Sequence, residues 1–210
     1  MKISIITPIY NNSVTLEKSL TAIINLKTDY LLKIIVVDDG STDNSFAIAQ
    51  DMSQKHENIL IIPKKNGGEA SALNEGLKYC TGNYIATIEG DVEPEPAWLE
   101  KIMPEFSNSD VAGVGGYLVT PKTDNWIARL AGYEIELKLQ SNKKYVPHIT
   151  SANAIYRSEI VKNFGYNEKL INASLDVDLN EKIIESGKKL VFIKEAKVIH
   201  HYKTNIFSYF

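Results

Sequence analysis

Two acidic side chains, Glu89 and Asp91, follow an apolar run that is typical of a buried strand. Because they are two residues apart in an extended segment, they project to the same side of the chain. Two carboxylates placed in this way can share one hard cation with the phosphate oxygens of a ligand, and oxygen ligands suit Mg²⁺ or Mn²⁺ better than zinc. The spacing therefore predicts a Mg²⁺ or Mn²⁺ site. The alternative is a solvated acidic turn, since Glu93 and Glu95 follow.

Polar side chains also follow the second and third apolar runs. Asp38 and Asp39 end the second run, Gly40 favours a tight turn, and residues 41–43 are typical of a helix N-cap. Two adjacent carboxylates exceed what a cap needs, so we expect one of them to accept hydrogen bonds from a base N–H or a ribose hydroxyl. The Asn-Gly-Gly sequence at 66–68 leads into a helix whose amino end can receive phosphate, although a plain turn uses such glycines equally well.

The elements that must position these groups alternate regularly in the first half of the chain. Apolar strand-like runs are each followed by a helical pattern, which is typical of a parallel sheet covered on both faces. The carboxyl ends of such strands face one crevice, where ligands of open α/β sheets bind. The four runs are "KISIIT", "LKIIVVDD", "NILIIP" and "YIATIEG".

The second half is less regular. We predict strands at "VAGVGGYLV" and "HITSANAIYR", a helix at "LDVDLNEKIIESGKKL" that ends near Gly187, and a helix at the more ambiguous "NWIARLAGYEIELKLQS". No repeat or Gly/Ser linker divides the chain, so its 210 residues predict a single domain, 1–210.

Composition excludes several classes of protein. The formal net charge of −3 gives no whole-surface attraction to nucleic acid, so none is expected as a partner. The single cysteine, Cys80, excludes an intramolecular disulfide and a thiolate metal site, and predicts a buried thiol in a reducing, cytoplasmic compartment. The first apolar run is broken by Pro8, which favours a strand over a signal peptide. No apolar segment approaches the ~20 residues that cross a bilayer, so we expect the chain as given to be soluble.

Seven stretches, in chain order, resemble the family-two inverting glycosyltransferases. The resemblance runs from Lys2 to His201 and implies the GT-A fold, a Rossmann-like, mostly parallel α/β sheet with helices on both faces and a smaller acceptor-side region. The stretches are "SIITPIYNN", "IIVVDDGSTDNS", "NGGEASALNEGL", "GNYIATIEGDVEPEPAWL", "SANAIYRSEIVKNFGYNEKL", "LDVDLNEKIIESGKKLVFI" and "AKVIHH".

Transferred position by position, the resemblance implies a site for a nucleotide sugar. Asp39 would contact the base, with Asp38 beside it. Asp91 would be the metal-binding aspartate of a DxD motif whose first position is Glu89 here, and His200 the late histidine near the metal or diphosphate. The neighbouring His201 is the alternative. The implied donor-binding residues are Pro8, Tyr10, Asn11, Asp38, Asp39, Asn66, Gly67, Asn74, Glu89, Gly90 and Asp91.

The resemblance also implies a catalytic base, Asp176, at the start of a late helix. An inverting transfer needs one carboxylate to take the proton of the acceptor as it attacks the anomeric carbon. Leu175 stands where the family usually has a glutamate, and Glu69 where it often has a lysine or arginine. Asp178 is the alternative base, and a helix amino end also favours carboxylates for electrostatic reasons alone.

The implied activity is transfer of a sugar from a UDP- or GDP-linked donor to an acceptor hydroxyl or lipid phosphate. Residues 1–107 would form the donor half and 108–210 the acceptor half. The acceptor would be a glycan or a lipid-linked molecule. The aromatic end of the chain, with Tyr202, Phe207, Tyr209 and Phe210, would suit peripheral association with the cytoplasmic face of the membrane. A segment absent from this chain would be another means of that association. The alternative is that the aromatic side chains pack on the domain.

Three other functions compete with this one. A dinucleotide-dependent oxidoreductase needs G-x-G-x-x-G after the first strand, and the one similar string, at 113–118, lacks the last glycine and a following helix. Sugar nucleotidyltransferases resemble one another in a glycine-rich, basic segment soon after the first strand. This sequence lacks such a segment. A non-catalytic nucleotide-sugar-binding protein is the third, favoured by Glu89 and Leu175.

Overall fold

The computed structural model is a sheet with helices on both faces, and it describes residues 1–122, 125–139, 141–170 and 175–202. The strands are β1 (Lys2–Ile9), β2 (Leu31–Asp38), β3 (Ile59–Pro63), β4 (Tyr84–Thr87), β5 (Val92–Pro94), β6 (Val111–Val119), β7 (Tyr145–Val146), β8 (Ala154–Arg157) and β9 (Lys189–His200). The helices are α1 (Leu16–Ile24), α2 (Ser45–Lys55), α3 (Glu69–Leu77), α4 (Trp98–Ile102), α5 (Trp126–Leu139), α6 (Ser158–Phe164) and α7 (Leu175–Glu185).

The strand order is β3-β2-β1-β4-β8-β6-β9-β5, and β7 also pairs with β9. The first four strands are parallel, as their alternation with helices predicts. Their carboxyl ends therefore lie along one edge of the sheet, which is where a ligand site of this fold belongs. β8 is antiparallel to both β4 and β6, whereas β6 and β9 are parallel.

Alternate residues of the central strands supply two separate hydrophobic cores. In β2, Ile34 and Val36 face the core covered by α1, α2 and α4, whereas Ile35 and Val37 face the core covered by α3, α6 and α7. Side chains of a strand point alternately to opposite faces, so a strand that is apolar throughout requires a cover on each side. The predicted α/β sheet with helices on both faces is confirmed.

In the second half of the chain, the structure corrects the strand predicted at "HITSANAIYR". "HITSANAIYR" does not form a single strand, because a 3₁₀ turn at Ser151–Asn153 precedes the short β8. The turn is held by the buried side chain of Asn153, which accepts a hydrogen bond from Trp98 Nε1 and donates to the carbonyls of Tyr117 and Ala196. An amide with this many long-range partners fixes the backbone around it more strongly than strand propensity does.

Other local predictions agree with the structure. The ambiguous segment forms α5, and α7 begins at Leu175. The predicted helix after the fourth strand is short, since Pro104 lies in the 3₁₀ turn that follows α4. Cys80 is buried. Among the helices described, none has the length and the apolar character needed to cross a bilayer. The division into residues 1–107 and 108–210 stays a prediction.

Candidate active site

The loops that follow the first two parallel strands are tied together by Asn11. Its backbone is left-handed, with φ 55°, a conformation that Asn tolerates better than most residues. Its side-chain oxygen accepts hydrogen bonds from the backbone N–H groups of Thr42 and Asp43, and its own N–H donates to Ser41 Oγ. Asn11 therefore joins the two loops, and its assignment to donor binding stays a prediction.

Asp39 joins the second loop to the third. Its buried carboxylate accepts hydrogen bonds from the backbone N–H groups of Gly67 and Gly68 and from Lys64 Nζ. The Asn66 side chain donates to the carbonyl oxygen of Asp39. Asp39 and the Asn-Gly-Gly turn thus lie together as predicted. A nucleotide base that donated a hydrogen bond to this carboxylate would share it with the three protein donors already bound to it.

The remaining predicted donor residues near these loops lie at the same edge of the sheet. Pro8 is buried in β1 beside Val37 of β2, and Tyr10, the next residue but one, is about half exposed at 49%. Asp38 is buried, and its Oδ1 accepts a hydrogen bond from Ser41 N–H at 3.3 Å. Tyr10 is thus the member of this group that offers an open aromatic face to a ligand.

Asn74 lies apart from this group, on α3. Its side chain donates to the carbonyl oxygen of Tyr166 and to Glu168 Oε1, and accepts from Tyr166 N–H. The side-chain nitrogen and oxygen of Asn74 thus both have partners within the protein. In the structure Asn74 joins α3 to the segment after α6. Its predicted contact with the donor stays untested.

Gly90, between the two acidic residues, is packed against the first loop. A Cβ added there would lie 2.8 Å from Ile9 Cγ2 and 3.1 Å from Asn12 Cγ. Its carbonyl oxygen accepts hydrogen bonds from Thr15 Oγ1 and Ser19 Oγ of the first helical segment. The absence of a side chain therefore allows the Glu89–Asp91 segment to approach the end of β1.

Glu89, Asp91 and His200 form a group that could hold a metal ion. One ligand atom from each lies within 4.8 Å of the others, and each residue is partly buried. His200 Nε2 is 3.6 Å from Asp91 Oδ1, and this buried oxygen accepts no hydrogen bond from the part of the chain that the structure describes. The two carboxylates supply the oxygen ligands that Mn²⁺ and Mg²⁺ prefer, so these residues fit the predicted cation.

The structure separates the two late histidines. His200, at the end of β9, faces Asp91 and stacks on Tyr202 with ring centroids 4.1 Å apart. His201 turns to Glu93, with which its Nε2 pairs at 2.5 Å. Successive residues of an extended chain point to opposite sides, so His200 is the member of the pair placed at the predicted metal site.

Asp176 lies in the first turn of α7, as the sequence predicts. Its Oδ2 is 3.6 Å from His148 Nε2, and its Oδ1 accepts a hydrogen bond from Val177 N–H. The alternative base, Asp178, instead pairs with Lys182 Nζ at 2.6 Å on the same helix. The carboxylate of Asp176, and not that of Asp178, also repels the carboxylates of Glu69 and Glu89, which lie near the carboxyl ends of the strands.

Repulsion among carboxylates marks the site. Burial raises the pKa of Glu89 well above its ordinary value, and repulsion from Glu69 and then Asp91 adds to the increase. Loss of water around the carboxyl group of Glu69, followed by repulsion from Asp176, raises the pKa of Glu69 to about 7. We call Glu69, Glu89, Asp91 and Asp176 the acidic cluster. Carboxylates that repel one another in this way favour a bound cation.

A comparison with protein families identifies the chain. The model described as "Glycosyl transferase family 2" matches residues 4–165, well over half of the sequence. This chain belongs to glycosyl transferase family 2. The family resemblance drawn from the seven stretches is thereby confirmed.

Two curated relatives of this family-2 chain illustrate its range. The "Pre-mycofactocin glycosyltransferase" of Mycobacterium tuberculosis is 29% identical over 212 residues, which cover 97% of this chain and 43% of that protein. "Glycosyltransferase GlyA" of Streptococcus pneumoniae is 36% identical over 211 residues, covering 93% of this chain and 30% of that protein. The chain thus spans less than half the length of both relatives.

Solved structures of similar fold confirm the GT-A architecture of this family-2 chain. The mannosyltransferase PcManGT from Pyrobaculum calidifontis, in complex with GDP-Man and Mn²⁺, superposes with a TM-score of 0.75 at 20% identity, covering 95% of this chain and 56% of that one. S. aureus TarS 1–349 in complex with UDP-GlcNAc gives a TM-score of 0.76 at 18% identity, covering 98% and 60%. At these identities the likeness shows the fold.

Sequence reasoning missed part of the site of this family-2 chain. The resemblance marks Glu69 only as the replacement of a basic residue. In the structure its carboxylate belongs to the acidic cluster and accepts a hydrogen bond from Ser151 Oγ. Ser151 Oγ also lies 3.5 Å from Glu89 Oε1. Ser151 begins one of the seven stretches, but no role is predicted for it, and His148 lies in no spacing pattern that indicates a site.

The aromatic end of the chain is only partly described. Tyr202 packs on the domain, since it stacks on His200 and lies where a Cβ on Gly132 of α5 would meet it at 2.7 Å. The other three residues of the predicted membrane-facing set, Phe207, Tyr209 and Phe210, lie outside the described residues.

Proposed function

We propose that this chain transfers a sugar, with inversion, from a UDP- or GDP-linked donor to an acceptor hydroxyl or lipid phosphate. A divalent cation, Mn²⁺ or Mg²⁺, would be held by Asp91 with Glu89 and His200, and Asp176 would be the general base. The observation that carries the proposal is that Asp176, from α7, lies close enough to Glu89 of the Glu89–Asp91–His200 group for the two carboxylates to repel each other.

The charge of the site supports a cation. A nucleoside diphosphate is itself an anion, and without a counter-ion it would be repelled by the acidic cluster. When bound, the cation would offset the charge that develops on the departing diphosphate. The two solved structures of similar fold, bound to GDP-Man with Mn²⁺ and to UDP-GlcNAc, support the same class of donor.

The protein's own residues would do the rest. The loops joined by Asn11 and Asp39, with the open ring of Tyr10, would hold the nucleotide. Asp176 would take the proton of the acceptor hydroxyl as its oxygen bonds to the anomeric carbon, and the bond from that carbon to the diphosphate would break on the opposite side. The nucleoside diphosphate would leave with the bonding electron pair, and attack from the side opposite to it gives inversion.

The acceptor is proposed from relatives alone. One curated relative, 28% identical, is the "Minor teichoic acid biosynthesis protein GgaB" of Bacillus subtilis. A glycan or lipid-linked acceptor at the cytoplasmic membrane face would be consistent with it.

The test is release of UDP or GDP from a panel of sugar nucleotides with Mn²⁺ and with EDTA. We expect turnover of one donor that stops on chelation. Asp91→Asn should abolish it, and Asp176→Asn should lower kcat by about 10²–10⁴, the usual contribution of a general base. The matched control is Asp178→Asn, since that residue lies on the same helix but pairs with Lys182.

Two outcomes would favour other functions. Metal-dependent nucleotide binding without turnover, unchanged by Asp176→Asn, would support the non-catalytic nucleotide-sugar-binding protein. Formation of a sugar nucleotide from a sugar phosphate and a nucleoside triphosphate would support the nucleotidyltransferase. Equal losses in Asp176→Asn and Asp178→Asn would contradict the assignment of the base.

A further inference from the structure

His148 lies between two residues of α7 that are one helical turn apart. Its Nε2 is 3.6 Å from Asp176 Oδ2, and its Nδ1 is 2.9 Å from Asn180 Nδ2. Residues at i and i+4 share a helix face, so the ring spans Asp176 and Asn180 from the segment that follows β7. Neither the family motifs nor the sequence spacing assigns a role to this histidine.

The contacts of Asn180 fix which of its side-chain atoms faces the ring. One atom lies 2.7 Å from the carbonyl oxygen of Ile149. A carbonyl oxygen only accepts hydrogen bonds, so this atom is the amide nitrogen. The amide oxygen is on the other side, 3.5 Å from the hydroxyl of Tyr156. Asn180 is fully buried, which leaves its amide no solvent alternative.

The amide in turn fixes the proton of the imidazole ring. The nitrogen of Asn180 carries two hydrogens, of which one goes to Ile149 and the other to His148 Nδ1. A ring nitrogen that accepts a hydrogen bond carries no proton in neutral histidine. The ring proton is therefore on Nε2, which is the atom that faces Asp176.

The Asp176 carboxylate is thus approached from two sides. Val177 N–H donates to Oδ1 at 2.9 Å, and His148 Nε2 stands 3.6 Å from Oδ2. The second distance is slightly longer than a hydrogen bond. Catalytic contacts are commonly long in the absence of substrate and shorten in the complex. A carboxylate accepts about four hydrogen bonds, so lone pairs remain for the proton of an acceptor.

We propose that His148 is a positioning residue for Asp176, held by Asn180 in the tautomer that directs its Nε2–H toward the carboxylate. The inference rests on the proposed function, in which Asp176 is the base. His148 would orient the carboxylate through its Nε2–H. Its effect would be on the chemical step and not on donor binding.

The tautomer is tested first, by two-bond ¹H–¹⁵N correlation spectra of the imidazole rings in the full chain with Mg²⁺. The signals of His148 are assigned by their loss in His148→Gln. At a pH where the ring is neutral, we expect the Nε2–H form in the wild-type protein and a loss of this preference in Asn180→Ala. An Nδ1–H ring, or an even mixture, in the wild-type protein would overturn the inference and leave the proposed function untouched.

The second test compares two substitutions of His148, one that keeps a group near Asp176 and one that keeps a group near Asn180. The amide of His148→Gln reaches the place of Nε2, whereas the amide of His148→Asn reaches only the place of Nδ1. We expect His148→Asn to lower kcat for nucleotide release about tenfold, the loss of one charge-assisted hydrogen bond. The KM for the donor should stay within about twofold, and His148→Gln should keep most of the rate.

The control is His56→Gln, at the far end of α2. Equal losses in the Gln and Asn variants, or an effect on KM alone, would contradict the positioning role. A wild-type protein that turns over no UDP- or GDP-linked sugar would contradict the proposed function. The spectra would still show which tautomer the His148 imidazole adopts.

Discussion

Asn74 of α3 and Tyr166, 92 positions later, exchange two hydrogen bonds of 2.8 Å between the Asn74 side chain and the Tyr166 backbone. A third bond of 2.8 Å joins the same side chain to Glu168. This contact ties the helix that follows the Asn-Gly-Gly turn to the segment just before α7. It therefore links the predicted nucleotide loops to the helix that carries Asp176.

Replacing Asn74 should reveal a structural role. Asn74→Asp keeps an acceptor for Tyr166 N–H but cannot donate, and it places a second carboxylate beside Glu168. We expect it to lower the free energy of unfolding by about 1–3 kcal/mol, the cost of leaving polar groups unsatisfied. Urea denaturation measures this, with the exposed Asn58→Ala as the control. A tenfold rise in the donor KM at unchanged stability would instead support the predicted donor contact.

The two late histidines should differ in metal binding. Mn²⁺ at 100 times its dissociation constant should stabilise the fold by about 2.7 kcal/mol, which raises the melting temperature by roughly 5–10 °C for a chain of this size. We expect His200→Ala to lose most of this rise, because His200 faces Asp91, and His201→Ala to keep it. Differential scanning fluorimetry with Mn²⁺ or EDTA makes the comparison. The reverse pattern would assign the metal to His201.

Glu89 should destabilise the metal-free protein. Its pKa and that of Glu69 are raised by burial and by repulsion within the acidic cluster. The folded state thus holds protons that the unfolded chain has lost, so stability falls as the pH rises; for Glu69 the window is from 4.5 to about 7. Glu89→Gln should flatten this fall and raise the melting temperature in EDTA at pH 7, while abolishing turnover.

The pH dependence is measured by thermal unfolding of both proteins in EDTA across this window. The exposed Glu100→Gln serves as the control. A Glu89→Gln protein that is less stable than the wild type in EDTA at pH 7 would show that repulsion in the cluster is already relieved.

Lys64 should be needed to keep Asp39 in place. Its Nζ pairs with the buried carboxylate of Asp39, which two backbone N–H groups also bond. Lys64→Met leaves the charge without its cation, and breaking a buried pair costs roughly 3–5 kcal/mol. We expect the lower end, since the backbone donors remain. Chemical denaturation measures the loss, and Lys65→Met is the exposed neighbour used as control. A loss equal to that of Lys65→Met would contradict the role.

Much of the fold followed from short-range patterns. Apolar runs of strand length alternating with amphipathic helices predicted the parallel β1–β4 unit, because each run records which faces of an element are buried. The same patterns located the polar groups at the carboxyl ends of the strands. They did not locate the turn at Ser151–Asn153, which depends on contacts of Asn153 with Trp98 and Ala196, far away in the chain.

Sequence alone determined the family, the α/β class and the identity of most of the acidic cluster, since these depend on residue types in local order. Only the tertiary structure decided that Glu69 joins the cluster, that His200 and not His201 faces Asp91, and that His148 lies against Asp176. The physical reason is that these relationships join separate loops. Side chains from such loops meet only where the pairing of β4, β8, β6 and β9 brings their ends together.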